Sequence, residues 1–352
     1  MTQPTGPTLR RFVESMPKTE LHLHLDGSLR VETALELARS RGVDAPRDVA
    51  GMRAALVAPE RCADQAELLR AFDLPIALMQ DAEALERIAA ELVESKAADG
   101  VRYVEIRLGP LLHVRRGLSL EDGIAAVCAG AREAAETAGV VVRLICTALR
   151  SHEPHDNVRL AEVAARFLDR GITGFDLAGP EEAFPDPLRH RDAFEAARGG
   201  GLRITLHAGE WGGAAQVRRA LEMEPERIAH GPGAIDDPDL CRDLATRAVT
   251  LDLCPTSNVQ AGIVESIEAH PLARLHRAGV PVTLSTDDTT VSDITLSEEY
   301  LRAVERIGLT LPELWSIDRH GLDVAFADEA TLAPLRAKFD AWGAGRPEVR
   351  GR

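Results

Sequence analysis

The chain is poor in several features that would define its class. It has five cysteines, Cys62, Cys128, Cys146, Cys241 and Cys254, an odd number with no Cys-x-x-Cys among them. That argues against a disulfide framework and fits a reducing, cytoplasmic setting. No apolar run is long enough to cross a bilayer, and Met1 to Arg11 shows no apolar stretch ahead of its charges, so neither a membrane span nor a signal peptide is expected. Positive charge is short: 41 Lys and Arg stand against 56 Asp and Glu, for a net charge of -15. A nucleic-acid backbone or an anionic membrane surface needs a basic footprint, so neither is expected as a partner. The excess of acid serves solubility. Linkers, low-complexity tracts and a second compositional domain are also missing. What remains is 352 residues, 45% hydrophobic, enough for a large core and compatible with one domain over 1–352.

What is present is a repeat of strands and helices. Residues 19–27 (TELHLHLDG) alternate apolar and polar with period two, which predicts a strand ended by a turn at Gly27. Helical spacing follows at 30–41 and stops at Gly42. Residues 43–80 hold helical pieces and no clear strand, a long insertion of the kind that forms lids or binding loops. An amphipathic helix is expected at 83–98. Strands are then expected at 101–108, 140–148, 172–177, 202–207, 227–230, 249–253 and 280–285. Helices alternate with them at 120–138, 157–170, 189–198, 213–221, 237–246 and 271–278, and further helices close the chain. The Pro- and Arg-rich ends read as frayed. Eight strands, several of them near-continuous apolar runs, predict parallel strands covered by helices, and hence an α/β fold of the (β/α)8 TIM-barrel type rather than a doubly wound sheet.

A barrel gathers its active site at the C-terminal ends of its strands. Those ends here carry His22, His24 and Asp26, then Gly179, then His207 and Glu210, then His230, then Cys254-Pro255-Thr256-Ser257-Asn258, and last Asp287 and Asp288. His22 and His24 sit two apart on one strand and so share a face. With His207 and Asp287 they make a three-histidine, one-carboxylate set of the kind that binds zinc and leaves a place for water. A second metal would want a Lys or Glu at the end of the third or fourth strand; those ends read Cys146-Thr147-Ala148 and Leu177-Ala178-Gly179, so one ion is expected. A water acidified by the ion needs a base or orienter, for which His230 is free, and a general acid, for which Glu210 is placed. Asp287 and Asp288 can divide labour between metal and substrate. They could equally cap the following helix. His113, His152 and His155 read as solvated loop residues. His190, His270, His276 and His320 fall in or near helices, where surface positions account for them.

The six strand-end motifs, His22-Leu23-His24-Leu25-Asp26-Gly27-Ser28, Asp176-Leu177-Ala178-Gly179, His207-Ala208-Gly209-Glu210, Arg227-Ile228-Ala229-His230-Gly231, Cys254 to Asn258 and Ser285-Thr286-Asp287-Asp288, resemble in order and spacing those of the adenosine deaminase family, over about Met16 to Tyr300. The resemblance implies one zinc ion on His22, His24, His207 and Asp287. It implies that Glu210 protonates purine N1, that His230 orients the attacking hydroxide, that Asp288 meets N7, that the Gly179 backbone meets N3 and that Asp26 holds a ribose hydroxyl, with His24 also facing the substrate. Leu68, Leu69 and Phe72, inside the insertion, match the family's apolar lid; ordinary helix packing would also account for them. Three positions depart from the family pattern: Ala229 before His230, Thr289 after Asp288 where proline is frequent, and Trp211 after Glu210 where smaller residues are usual.

The implied activity is hydrolytic deamination of adenosine and 2′-deoxyadenosine to the inosine nucleosides and ammonia, with a small purine nucleoside as partner. Base-only deaminases of the superfamily often have glutamate where Asp26 stands, so Asp26 points to a nucleoside. The alternatives are deamination of adenine, or of a modified 6-aminopurine nucleoside such as aminodeoxyfutalosine. A barrel that had lost catalysis would lack Glu210, His230 or a ligand, and all are present. Deaminases that act on bases within nucleic acids carry a Cys-x-x-Cys zinc motif, which is absent.

Overall fold

The computed structural model describes residues 4–350; the outermost ends of the 1–352 span lie outside them. Its eight strands are β1 (Lys18–His24), β2 (Val101–Leu108), β3 (Val141–Leu149), β4 (Ile172–Ala178), β5 (Arg203–His207), β6 (Arg227–Ala229), β7 (Thr250–Leu253) and β8 (Val282–Leu284). All pair in parallel, each with the next in sequence. A doubly wound sheet would reverse its strand order at a switch point. Here the order runs straight through, and β8 returns to β1 by a parallel bridge between Leu23 and Asp287. That closed sequence is the (β/α)8 barrel.

The closing seam is short. His24 N–H donates to the Asp287 carbonyl at 2.7 Å, and Asp287 N–H donates to the His22 carbonyl at 3.1 Å. Beside them Ser285 Oγ accepts from the Leu21 and His22 amides, both at 3.2 Å. A side-chain oxygen thus stands where a longer β8 would have offered a carbonyl.

Local sequence explains most boundaries. β2 and the helix Leu120–Ala138 fall where the pattern puts them, the helix capped by Ser119, whose side chain accepts from Asp122 N, and stopped by left-handed Gly139. The helix expected at 157–170 instead begins at Pro154, which suits a first turn, and tightens to a 3-10 run at Ala165–Arg170. From Gly6 on the amino-terminal segment is helical rather than frayed: Gly6–Ser15 is a helix that buries Leu9 and Val13, and Phe12 meets Trp342 of the closing helix Glu329–Ala344 edge to face. No helix among the described residues is long and apolar enough to cross a membrane.

The barrel interior is charged. Arg107 on β2 pairs with Asp176 on β4 and with Asp252 on β7, each at 3.1 Å. Arg227 on β6 bonds Asp252 at 3.1 Å and also Glu105 on β2. β2 neighbours none of β4, β6 and β7, so its contacts with them run through the lumen. All five side chains are fully buried. Removing one partner of such a set leaves an uncompensated charge, at a cost of about 3–5 kcal/mol.

Below the barrel, Asp318 in the helix Leu311–Asp323 accepts from Thr19 N and from Tyr300 Oη, both at 2.8 Å. Burial pushes its carboxyl up to about 7. The folded state then holds a proton that the unfolded chain releases near pH 4, so this group's contribution is full below that pH and is lost as pH rises towards 7. The unfolding free energy of the wild type, measured by urea titration, is expected to fall across that window by about 1.4 kcal/mol per pH unit for this group. Asp318→Asn should flatten the dependence; equal pH slopes in the two proteins would remove Asp318 as its source.

Candidate active site

Side chains from the C-terminal ends of the strands converge on one cavity of about 350 Å³, a size suited to a small ligand. His24 lines it, with His22 fully buried beside it. Their Nε2 atoms lie 3.2 Å apart, and each lies 3.1 Å from His207 Nε2. Asp287 Oδ1 sits 3.1 Å from His22 Nε2 and 3.3 Å from His24 Nε2. A tetrahedral ion with bonds of about 2.0–2.1 Å needs ligand edges of roughly 3.3–3.4 Å, close to these values. The lone pair at His207 Nε2 is fixed by Asp176, which takes the Nδ1 hydrogen at 3.1 Å. Burial drives the His22 and His24 imidazoles well towards the neutral form, His24 to about 3, and neutral imidazole is the ligand form. The donor set therefore fits a cation. The ligand atoms of His22, His207, His230 and Asp287 also lie within 4.8 Å of one another. His230 Nε2 nonetheless stands 3.6 Å from Asp287 Oδ2 and 3.7 Å from Glu210 Oε1. The tighter spacing of His24 makes it the better fourth donor, with His230 beside the cage.

Backbone strain marks the same place. His230 and Asp287 have φ of 68° and 66°, left-handed conformations that cost a non-glycine residue about 1–3 kcal/mol and persist where surrounding structure enforces them. Ser257 Oγ donates to Asp287 Oδ2 at 2.7 Å. Thr289 N–H donates to Ser28 Oγ at 3.2 Å, a bond that proline could not make, so the departure at 289 is used to tie the β8 loop to the β1 turn. Gly27 is required there: a Cβ would lie 1.6 Å from Asp288 Oδ1.

Glu210 sits on a turn gripped by one carboxylate. Glu181 accepts from the amides of Gly209, Trp211 and Gly212, all at 2.8 Å. Burial first, then Asp287 and Glu181, raises the Glu210 carboxyl well above the usual range. Burial also raises Asp26 to about 6 and, with Asp287, raises Asp288. Oδ1 of Asp26 and Oδ1 of Asp288 are buried without a partner, and both residues line the cavity, as does Gly179, whose φ of 102° suits glycine.

The cavity is roofed by the 43–80 insertion. Gln65, Leu68, Leu69, Phe72 and Ile76 all face it, spaced along one helical face. Leu68 and Phe72 pack with Trp211, Ala261 and Ile263, so Trp211 forms wall and roof support together.

Several side chains depart from expectation. His113 is buried against the Met79 backbone, not solvated. His190 and His270 are buried rather than superficial, because each holds an asparagine: His190 bonds Asn157 and His270 bonds Asn258. His155 is exposed, as expected, and His152 is half-buried.

The comparisons with known proteins point to one family. Residues 17–342 match the family model described as adenosine deaminase. The adenosine deaminase of Clostridium perfringens is 37% identical over 325 residues, 92% of this chain and 97% of that protein. A zinc-bound amidohydrolase structure from Burkholderia ambifaria superposes with a TM-score of 0.88 at 28% identity, covering 97% of this chain and 95% of that one. The adenine deaminase of Arthrobacter aurescens gives 0.85 at 28% identity, covering 94% and 100%. With a (β/α)8 barrel and a family match over nearly its whole length, the chain belongs to the adenosine deaminase family.

Proposed function

We propose that the protein hydrolyses adenosine and 2′-deoxyadenosine to inosine and 2′-deoxyinosine, releasing ammonia, with one zinc ion held by His22, His24, His207 and Asp287. The observation that carries this reading is the meeting, in one small cavity, of a cation-fitting donor set with a buried carboxyl, Glu210, that burial, Asp287 and Glu181 raise well above the usual range. When bound there, zinc would supply a water acidified enough to attack near neutral pH. Glu210 would give its proton to purine N1 and make the six-position carbon electrophilic. His230 would orient the attacking oxygen. The Asp288 carboxyl would share a hydrogen with N7, and the Gly179 amide would donate to N3. Asp26 would accept from a ribose hydroxyl. Residues 43–80 would act as a lid, with Leu68, Leu69 and Phe72 against the purine. Five free, buried cysteines support a cytoplasmic setting.

A panel of adenosine, 2′-deoxyadenosine, adenine and modified 6-aminopurine nucleosides, followed by ultraviolet absorbance, tests the substrate. A hydrogen bond to a charged group contributes about 1.5–3 kcal/mol. Asp26→Ala should therefore lower kcat/KM for adenosine by roughly ten- to a hundredfold. Adenine, which has no ribose, should be a poor substrate for both proteins. Preference of the wild type for adenine, or unchanged adenosine turnover in Asp26→Ala, would overturn the nucleoside reading.

A further inference from the structure

Behind His230 lies a buried chain of hydrogen bonds whose direction is set by the backbone. Leu272 opens the helix Leu272–Arg277, so its amide has no partner within that helix. It donates to His270 Nδ1 at 3.2 Å. A backbone N–H can only donate, so Nδ1 of His270 accepts, and in a neutral ring the hydrogen must sit on Nε2. Burial keeps that ring neutral, pushed down to about 3. His270 Nε2 stands 3.2 Å from Asn258 Oδ1, which must therefore be the accepting oxygen. The other end of the same amide is then the NH2, and it stands 3.1 Å from His230 Nδ1. His230 Nδ1 receives that hydrogen and carries none of its own. Asn258 is fully buried, and His230 and His270 nearly so, leaving water no room to reverse the order.

We propose that Asn258 and His270 are positioning residues that lock His230 in the tautomer with its hydrogen on Nε2. That atom faces the cavity between Asp287 Oδ2 and Glu210 Oε1. His230 then meets the reacting oxygen as a hydrogen-bond donor and cannot act as the base that takes its proton. The functional part of this assignment rests on the proposed role of His230; the tautomer does not.

The test is the ring itself. Metal-loaded protein labelled with ¹⁵N-histidine is examined by long-range ¹H–¹⁵N correlation, with His230 identified by its loss in His230→Gln. The unsubstituted protein should show His230 with a pyrrole-type Nε2 and a pyridine-type Nδ1. Asn258→Asp presents only oxygen to both histidines and should move the hydrogen to Nδ1. Outer-shell partners of this kind are worth about 10–100-fold in activity. The kcat of Asn258→Asp for adenosine should fall by that much, with KM and metal content little changed. His270→Gln keeps a donor towards Asn258 and should retain most of the rate, whereas His270→Phe should not. A hydrogen on Nδ1 in the unsubstituted protein overturns the proposal, even where no variant folds. So does a His270→Phe protein with unaltered tautomer and kcat, or loss of metal along with the rate. The expected tautomer in a protein that deaminates no aminopurine would support this assignment and overturn the functional reading instead.

Discussion

Removal of metal by a chelator is expected to abolish adenosine turnover, and added zinc to restore it. Three imidazole nitrogens within 3.2 Å of one another, one of them held as a bare lone pair by Asp176, and an Asp287 oxygen at 3.1 and 3.3 Å from two of them bring four potential ligand atoms together. A cation is what such a set accommodates. The same experiment has a second readout. A ligand at a thousand times its Kd stabilises the folded state by about 4.1 kcal/mol, so the stripped protein should also unfold at a lower temperature. Full activity in a preparation shown by elemental analysis to be free of metal would refute the cage.

The second large effect is expected at Glu210. Glutamine preserves its size and leaves the Glu181 grip on the neighbouring amides intact, but it has no acidic proton to give. A positioned acid contributes about 10²–10⁴-fold, so Glu210→Gln should lose that much in kcat while still binding metal and nucleoside. At about 1.36 kcal/mol per decade this is roughly 3–5 kcal/mol of transition-state stabilisation. Wild-type turnover in the variant, or metal lost together with the rate, would reject Glu210 as the acid.

The barrel could be read from the chain because both faces of each strand are covered, which leaves near-continuous apolar runs separated by helices. The run at 140–148 (VVVRLICTA) is the clearest case. The groups at the cavity could be read because histidine and aspartate stand out at the ends of such runs. Their supports could not. Glu181 grips amides 28 to 31 residues further on, and Asp176 reaches His207 across 31, so no local pattern announces either. The lumen did leave a signal: Glu105 and Arg107 alternate within β2, and Asp176 and Asp252 interrupt apolar strands, the period-two placement of side chains that face one another inside a barrel. Gln65 shares a helical face with Leu68, Leu69 and Phe72, but a polar residue in an apolar set draws no notice. His270 looked superficial because its partner, Asn258, precedes it by a loop whose path only the fold reveals.

The seam between β1 and β8 has a consequence for how the polypeptide is made. Asp287 lies 263 residues after His24, and chains lengthen at about 5–20 residues per second, so β1 leaves the ribosome roughly 13–50 s before its last neighbour exists. During that interval Leu21 and Leu23 belong to a strand with one edge still unpaired. A chain halted before Ser285 owns all three imidazoles yet lacks both the carboxylate and the bridge that shuts the sheet. Completing the cage and completing the sheet are therefore one event, which waits until residue 287 has been made.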